Sequence, residues 1–284
     1  LESAIYLLSS VCNVPTTMTV LPAINTNFSH HISVSLADGT IITGQNNISH
    51  PLAPSSALPT SNNLRLETEE HDNVEDANLP GSLPSLRRPA INFSKLQEED
   101  LPARIERLWY INPYGHEMSC PANPRVLDAL SNSSTVIYSI GSLFTSIIPS
   151  IILRGIGNAI ASPHIRNKIL LLNSSIDRET GPSASPFTAL DFVAAISKAC
   201  AESRGLEAPK QEEFHMYVTH IIYLESTQAP KVDREELAKA GIEGIRLYGL
   251  SGRYDDRALE QALKMVLGKG EQGSGLSRRN TLQR

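Results

Sequence analysis

The sequence predicts an α/β fold, a mostly parallel sheet flanked by helices. Three observations carry that expectation. Thr135 to Ile140 is a short β-branched apolar run of the kind that forms a buried strand. Lys168 to Asn173 (Lys-Ile-Leu-Leu-Leu-Asn) is a continuous apolar run such as a parallel sheet buries on both faces. Around them strand and helix patterns alternate, the rhythm of right-handed crossover units.

Taken in order, Ala4, Ile5, Leu7, Leu8 and Val11 stand at helical spacing, and Asn13-Val14-Pro15 ends that helix. The pattern opens at Leu1 inside a helix and without a methionine, so the chain is expected to be incomplete there. Ile32 to Leu36 alternates with period two, Asp38-Gly39 is a hairpin turn, and Thr40 to Gly44 returns as the second strand. Pro, Ser and Asn then crowd 51–63, and Glu67 to Asp76 is acidic. Little there could bury an apolar face, so 51–100 is expected to be a disordered insertion. Ala103 to Ile111 alternates again, and Asn123 caps a short helix from Pro124 to Leu130.

After the Thr135 strand comes a turn rich in small hydroxyls, followed by a helix that starts near Pro149 and contains Arg154. The Lys168 strand leads into a loop from Ser174 to Pro186 and a long helix from Pro186 to Ser203. Tyr217 to Glu225 and Ile245 to Leu250 read as strands, Arg234 to Ala240 as a helix stopped by Gly241, and Asp255 to Leu267 as an amphipathic helix. Residues 1–50 and 101–267 are thus expected to form a single α/β domain, with a flexible tail from 268 to 284.

Composition narrows the function. The 284 residues suffice for a sizeable core. A net charge of −5 and 5% aromatic residues argue against a nucleic-acid-binding surface. No apolar run is long enough to cross a bilayer, so no membrane partner is expected. Cys12, Cys120 and Cys200 are far apart and odd in number, which fits reduced thiols and a cytoplasmic setting. No metal-ligand spacing, nucleophile–histidine pairing, Gly-rich phosphate loop or Walker pattern occurs in Leu1–Arg284, so no metal site or catalytic residue is assigned.

The turn itself offers chemistry. Gly141, Ser142, Thr145 and Ser146 lie between a strand and a helix, where free backbone N–H groups and a positive dipole end can face an anion. The same hydroxyls can equally serve as simple helix caps. Asn173 ends the next strand, at the edge where open α/β sheets bind ligands.

The run Ser139-Ile140-Gly141-Ser142-Leu143-Phe144-Thr145-Ser146-Ile147-Ile148-Pro149-Ser150 resembles the signature of the 2-phospho-L-lactate transferase (CofD-like) family, Gly-Pro-Gly-Ser-Leu-Tyr-Thr-Ser followed by an Ile-Pro helix start. Ser139 and Ile140 replace the family's Gly-Pro pair. The resemblance extends to Asn173, Glu179, Thr180, Ala189, Asp191 and Val193, and covers roughly 1–50 and 103–267. Its Val-Leu-Pro-Ala passage and hairpin are similar to the gluconeogenesis-factor branch. The resemblance implies a Rossmann-like sheet, incomplete at the N-terminus because the family's glycine loop is absent. It implies phosphate held at Gly141, Ser142, Thr145 and Ser146, with Asn173 and Thr180 toward base, ribose or sugar. In the gluconeogenesis-factor branch the ligand would be a UDP-sugar such as UDP-N-acetylglucosamine, bound without turnover. In the transferase branch it would be a guanylyl phospholactate, with magnesium and a deazaflavin alcohol acceptor. A homo-oligomer is compatible with either.

Overall fold

The computed structural model describes residues 2–15, 17–26, 28–50, 81–83, 86, 100–249 and 252–269. The expected insertion at 51–100 and tail at 268–284 lie, but for a few positions, outside the described residues.

Helices α1 (Glu2–Val11), α2 (Gln45–Ser49), α3 (Pro124–Ser131), α4 (Ile148–Ile151), α5 (Ile156–Ala161), α6 (Ala189–Ser203), α7 (Arg234–Lys239) and α8 (Asp256–Lys269) surround two four-stranded sheets. One sheet is parallel: β5 (Thr135–Tyr138), β6 (Asn167–Leu171), β7 (His220–Leu224) and β8 (Glu243–Leu247) lie side by side in chain order. The other is antiparallel, with β1 (His31–Leu36), β2 (Ile41–Thr43), β3 (Ile105–Ile111) and β4 (Glu117–Met118) in the order β2-β1-β3-β4. The expectation of a mostly parallel sheet therefore holds for the second half of the chain. In the first half a tight hairpin precludes it, because parallel neighbours need a long crossover. Gly39, at φ +85°, supplies the left-handed residue of that turn, and Asp38 accepts the Thr40 amide at 2.9 Å.

The period-two pattern decides what each face of the parallel sheet meets. Ile169, Leu171 and Ile222 pack against Ala262 and Val266 of α8. Leu170, Leu172, Ile221 and Tyr223 point the other way, into the main core with Phe192, Val193 and Ile196 of α6. Val34, Leu36 and Leu108 of the antiparallel sheet join that same core through Phe144 and Ile148. Polar ties reinforce the junction: the Tyr110 hydroxyl donates to the Pro149 carbonyl at 3.0 Å, and Lys198 Nζ to the Glu106 carbonyl at 2.9 Å.

Two local expectations change, and a third holds with a difference in burial. The long helix begins at Ala189, not Pro186, because Thr188 and Asp191 form a reciprocal cap: Thr188 N donates to Asp191 Oδ2 at 2.8 Å and Asp191 N to Thr188 Oγ1 at 3.3 Å. Arg154 lies between helices rather than within one. Its backbone pairs with Cys120 at 2.9 Å and Ala122 at 3.2 Å, and Gly155 at φ +101° turns the chain into α5. Helix α1 forms as expected, yet Tyr6, Leu7, Leu8 and Val11 are 62–80% exposed, without cover among the described residues. Strand β5 forms one edge of the parallel sheet, with no partner on its outer side among those residues.

Candidate functional site

The C-terminal ends of β5 and β6 meet at Gly141 and Asn173. Asn173 Nδ2 donates to the Gly141 carbonyl at 3.0 Å, and the Gly141 amide faces Asn173 Oδ1 at 3.4 Å. This exchange joins the two crossovers just beyond the sheet. A Cβ on residue 141 would press on the Ser146 Cβ at 3.2 Å, so glycine lets the turn close on itself.

From Leu143 to Ile147 the backbone takes a wide π-helical turn, with Ile147 N donating to the Ser142 carbonyl at 3.3 Å, before α4 begins at Ile148. Wide turns of this kind are rare and recur at functional sites. They also leave first-turn amides without a carbonyl partner. Here the amides of Phe144 and Thr145 donate to Glu179 Oε2 at 2.9 and 3.0 Å. Glu179 Oε1 accepts the Thr145 hydroxyl at 2.5 Å and the Ser49 hydroxyl at 2.8 Å. The Glu179 side chain is 1% exposed. Its burial pushes the carboxyl above the usual range, against the pull of the Thr145 and Ser49 hydroxyls.

The sequence-predicted residues thus occupy three environments. Ser142 is half-buried, and its hydroxyl has no hydrogen-bond partner among the described residues. Ser146 is exposed and its amide donates to the Ser142 carbonyl at 3.0 Å. Thr145 is committed, hydroxyl and amide alike, to Glu179. Thr180 is fully buried: its hydroxyl donates to Asp177 Oδ1 at 2.7 Å and accepts the Asp177 amide at 3.2 Å, closing the short helical turn Arg178–Thr180. Glu179 and Ser49 received no site role from the sequence. Ser49 lies 130 positions from its acceptor, on the antiparallel half of the chain, and nothing local to either residue announces the pairing.

A cavity of about 350 Å³ opens beside the turn, with Gly141, Ser146 and Ser150 on its polar side and Ile137, Ile147 and Ile160 on its apolar side. A second cleft of about 310 Å³ lies between β3 and α6, spanned by the Arg104–Asp191 ion pair at 3.4 Å and the Arg107–Glu202 pair at 2.5 Å. It contains Phe144 but none of the candidate residues. Glu179 is a poor ligand for magnesium, because N–H and O–H donors that present positive charge fill both of its oxygens; Asp177 Oδ1 is engaged by Thr180.

Comparison with known proteins places this geometry. The chain is 31% identical over 291 aligned residues to the uncharacterized protein YNL011C of Saccharomyces cerevisiae, an alignment covering 94% of this chain and 64% of that one. Two solved structures share the fold. Protein BH3568 from Bacillus halodurans superposes with a TM-score of 0.57 at 18% identity, over 91% of this chain and 65% of that one. A second structure of BH3568, described as a UPF0052 family member, gives 0.56 at 19% identity, over 90% and 65%. The chain therefore spans about two thirds of the length of these relatives. The family model described as 2-phospho-L-lactate transferase CofD matches residues 1–247, a span that holds the hairpin, the π-helical turn and all four parallel strands. By that match, over more than half of its length, this chain belongs to the CofD family.

Proposed function

We propose that the turn after β5 binds the phosphate of a nucleotide-linked small molecule, and that the protein is a metabolic regulator which holds a UDP-sugar without turning it over. The observation that carries this reading is the set of donors left over at the turn. The Ser142 hydroxyl stands at the C-terminal edge of the parallel sheet, and its neighbours Gly141 and Ser146 line a cavity with an apolar wall. The neighbouring carboxylates, Glu179 and Asp177, are both engaged by protein donors. Such a surface offers hydrogen bonds to phosphate but no poised acid, base or metal-ligand set.

In this reading Gly141, Ser142 and Ser146 contact the phosphate and the second Asn173 amide hydrogen reaches the ribose or sugar. Thr145 and Thr180 shape the loops that present them. The family description supports a second reading, transfer of a phospholactyl group from a guanylyl donor to a deazaflavin alcohol. Calorimetry on the full-length natural protein separates the two. Saturable heat with UDP-N-acetylglucosamine and no product supports the regulator. Release of GMP from guanylyl phospholactate once a deazaflavin alcohol is added supports the transferase. Silence with both ligands rejects the phosphate site.

A further inference from the structure

The ligand reading makes no use of Glu179, the most heavily hydrogen-bonded side chain at the turn. We propose that Glu179 is a built-in anion: its carboxylate fills the inner amide nest of the π-helical turn, fixes the shape of that turn, and confines a ligand phosphate to the outer groups at Gly141, Ser142 and Ser146. The last clause rests on the function proposed above; the first two stand without it.

Successive backbone N–H groups converging at a helix start make an anion-binding concavity. The Phe144 and Thr145 amides are such a pair, and both reach the same oxygen, Glu179 Oε2, at 2.9 and 3.0 Å. In an ordinary helix the Thr145 amide would be the one to seek the Gly141 carbonyl. That carbonyl instead accepts Asn173 Nδ2 at 3.0 Å, and the wide turn directs the Thr145 amide to Glu179. The second carboxylate oxygen receives Thr145 Oγ1 at 2.5 Å and Ser49 Oγ at 2.8 Å. Two donors on each oxygen fill the acceptor capacity of a carboxylate. A buried carboxylate with four donors, and with no ion-pair partner among the described residues, has the arrangement of a bound oxyanion, delivered here by the chain itself.

The two donor-bearing segments and the acceptor come from different parts of the fold. Ser49 ends α2, Phe144 and Thr145 open the turn after β5, and Glu179 lies in the loop after β6. Glu179 therefore also fastens the antiparallel half of the chain to the ligand-facing turn. A phosphate arriving at the same turn meets amides already neutralised by this carboxylate, and charge repulsion keeps it on the outer side.

Chemical rescue tests the proposal. Glu179→Ala vacates the nest; its melting temperature is measured in formate, acetate and phosphate against chloride at equal ionic strength. The expected result is a lowered melting temperature that formate or acetate restores saturably, with wild type and Glu179→Gln unresponsive. Combining Glu179→Ala with Thr145→Val should abolish the rescue. A folded Glu179→Ala protein that responds to formate no more than to chloride overturns the proposal. Should Glu179→Ala fail to fold, carboxyl NMR titration of Ser49→Ala gives a second reading. Loss of that donor should raise the Glu179 midpoint further, since one hydrogen bond to the charged form is gone, and an unmoved midpoint overturns the idea. Neither readout involves a nucleotide, so rescue without UDP-sugar binding would sink the proposed function alone.

Discussion

Asn173 and Gly141 exchange two hydrogen bonds across the ends of neighbouring parallel strands, the Asn173 amide acting as donor at 3.0 Å and as acceptor at 3.4 Å. A side chain thereby ties the two segments together three residues past the sheet's last rung, Tyr138 with Leu170. Asn173→Asp keeps the size and the acceptor but turns the donor into a second oxygen facing the Gly141 carbonyl. The expected order of stability is wild type, then Asn173→Ala, then Asn173→Asp at neutral pH. The alanine variant should lose about 1–2 kcal/mol, the worth of a partly buried pair of bonds. Urea unfolding of the three proteins checks it, and an aspartate variant as stable as wild type refutes the donor role.

Ser142 and Thr145 carry the same functional group three residues apart and should behave oppositely. Ser142→Ala removes a hydroxyl that bonds to nothing in the described protein, so stability should stay within about 0.5 kcal/mol. UDP-sugar affinity should fall roughly five- to tenfold, one hydrogen bond's worth. Thr145→Val removes a donor from a buried carboxylate, at a cost of about 1–3 kcal/mol in stability. Equal losses of affinity in both variants, with neither unfolding more easily, would return both hydroxyls to direct ligand contact.

Much of this architecture is legible in the sequence because the signals are local. Asn123 caps α3, its Oδ1 accepting the Arg125 amide at 3.0 Å, and Gly241 stops α7 at φ +73°. The Asp38-Gly39 hairpin and the buried β6 run likewise need only a few neighbouring residues to specify them. The strand–turn–helix that holds the candidate site falls in the same class. What local pattern cannot convey is who meets whom. Glu179 reads as one charge in a polar loop, Ser49 as one more small residue, and only the packing of two sheets brings them within 2.8 Å. Arg154 differs from its sequence pattern for a related reason: the apolar spacing continues through it, while Gly155 and the pairing with Cys120 interrupt the helix.

Arg107 ties β3 to β4 through Glu117 and to α6 through Glu202, at 2.5 Å in each case. The Arg107 hydrogen bonds hold the Glu117 carboxyl below the usual range despite partial burial. A depressed folded-state pKa stabilises above the unfolded value and is lost as pH falls through the folded one. Arg107→Met should therefore be less stable than wild type at neutral pH, and the gap should close under acid. It should also narrow in high salt, since both side chains are solvated. Melting curves from neutral to strongly acidic pH at two salt concentrations provide the check; a gap that persists unchanged in acid assigns the loss to the arginine's packing instead.

Gly157, packed against α6, and Ser197, buried on α6, make opposite predictions. The Gly157 amide donates to Ser203 Oγ at 3.0 Å, and that hydroxyl donates to the Leu153 carbonyl at 2.6 Å, so one buried serine stitches the two helices. A Cβ at residue 157 would sit 2.0 Å from the Cys200 carbonyl oxygen and 2.9 Å from its carbon. Those are backbone atoms of the longest helix in the core, and they cannot rotate away. Gly157→Ala must push the helices apart and break the serine bridge, which should cost about 3 kcal/mol or more. Ser197, on the same helix α6, is fully buried and its hydroxyl has no partner among the described residues. Ser197→Ala removes an unpaired polar group without changing the fold of the helix, so it should be neutral or stabilising by up to about 1–2 kcal/mol. Denaturant unfolding of the two variants separates a contact limited by space from one limited by hydrogen bonding. A tolerated Gly157→Ala would show that α5 can slide on α6, and a destabilised Ser197→Ala that its hydroxyl has an acceptor.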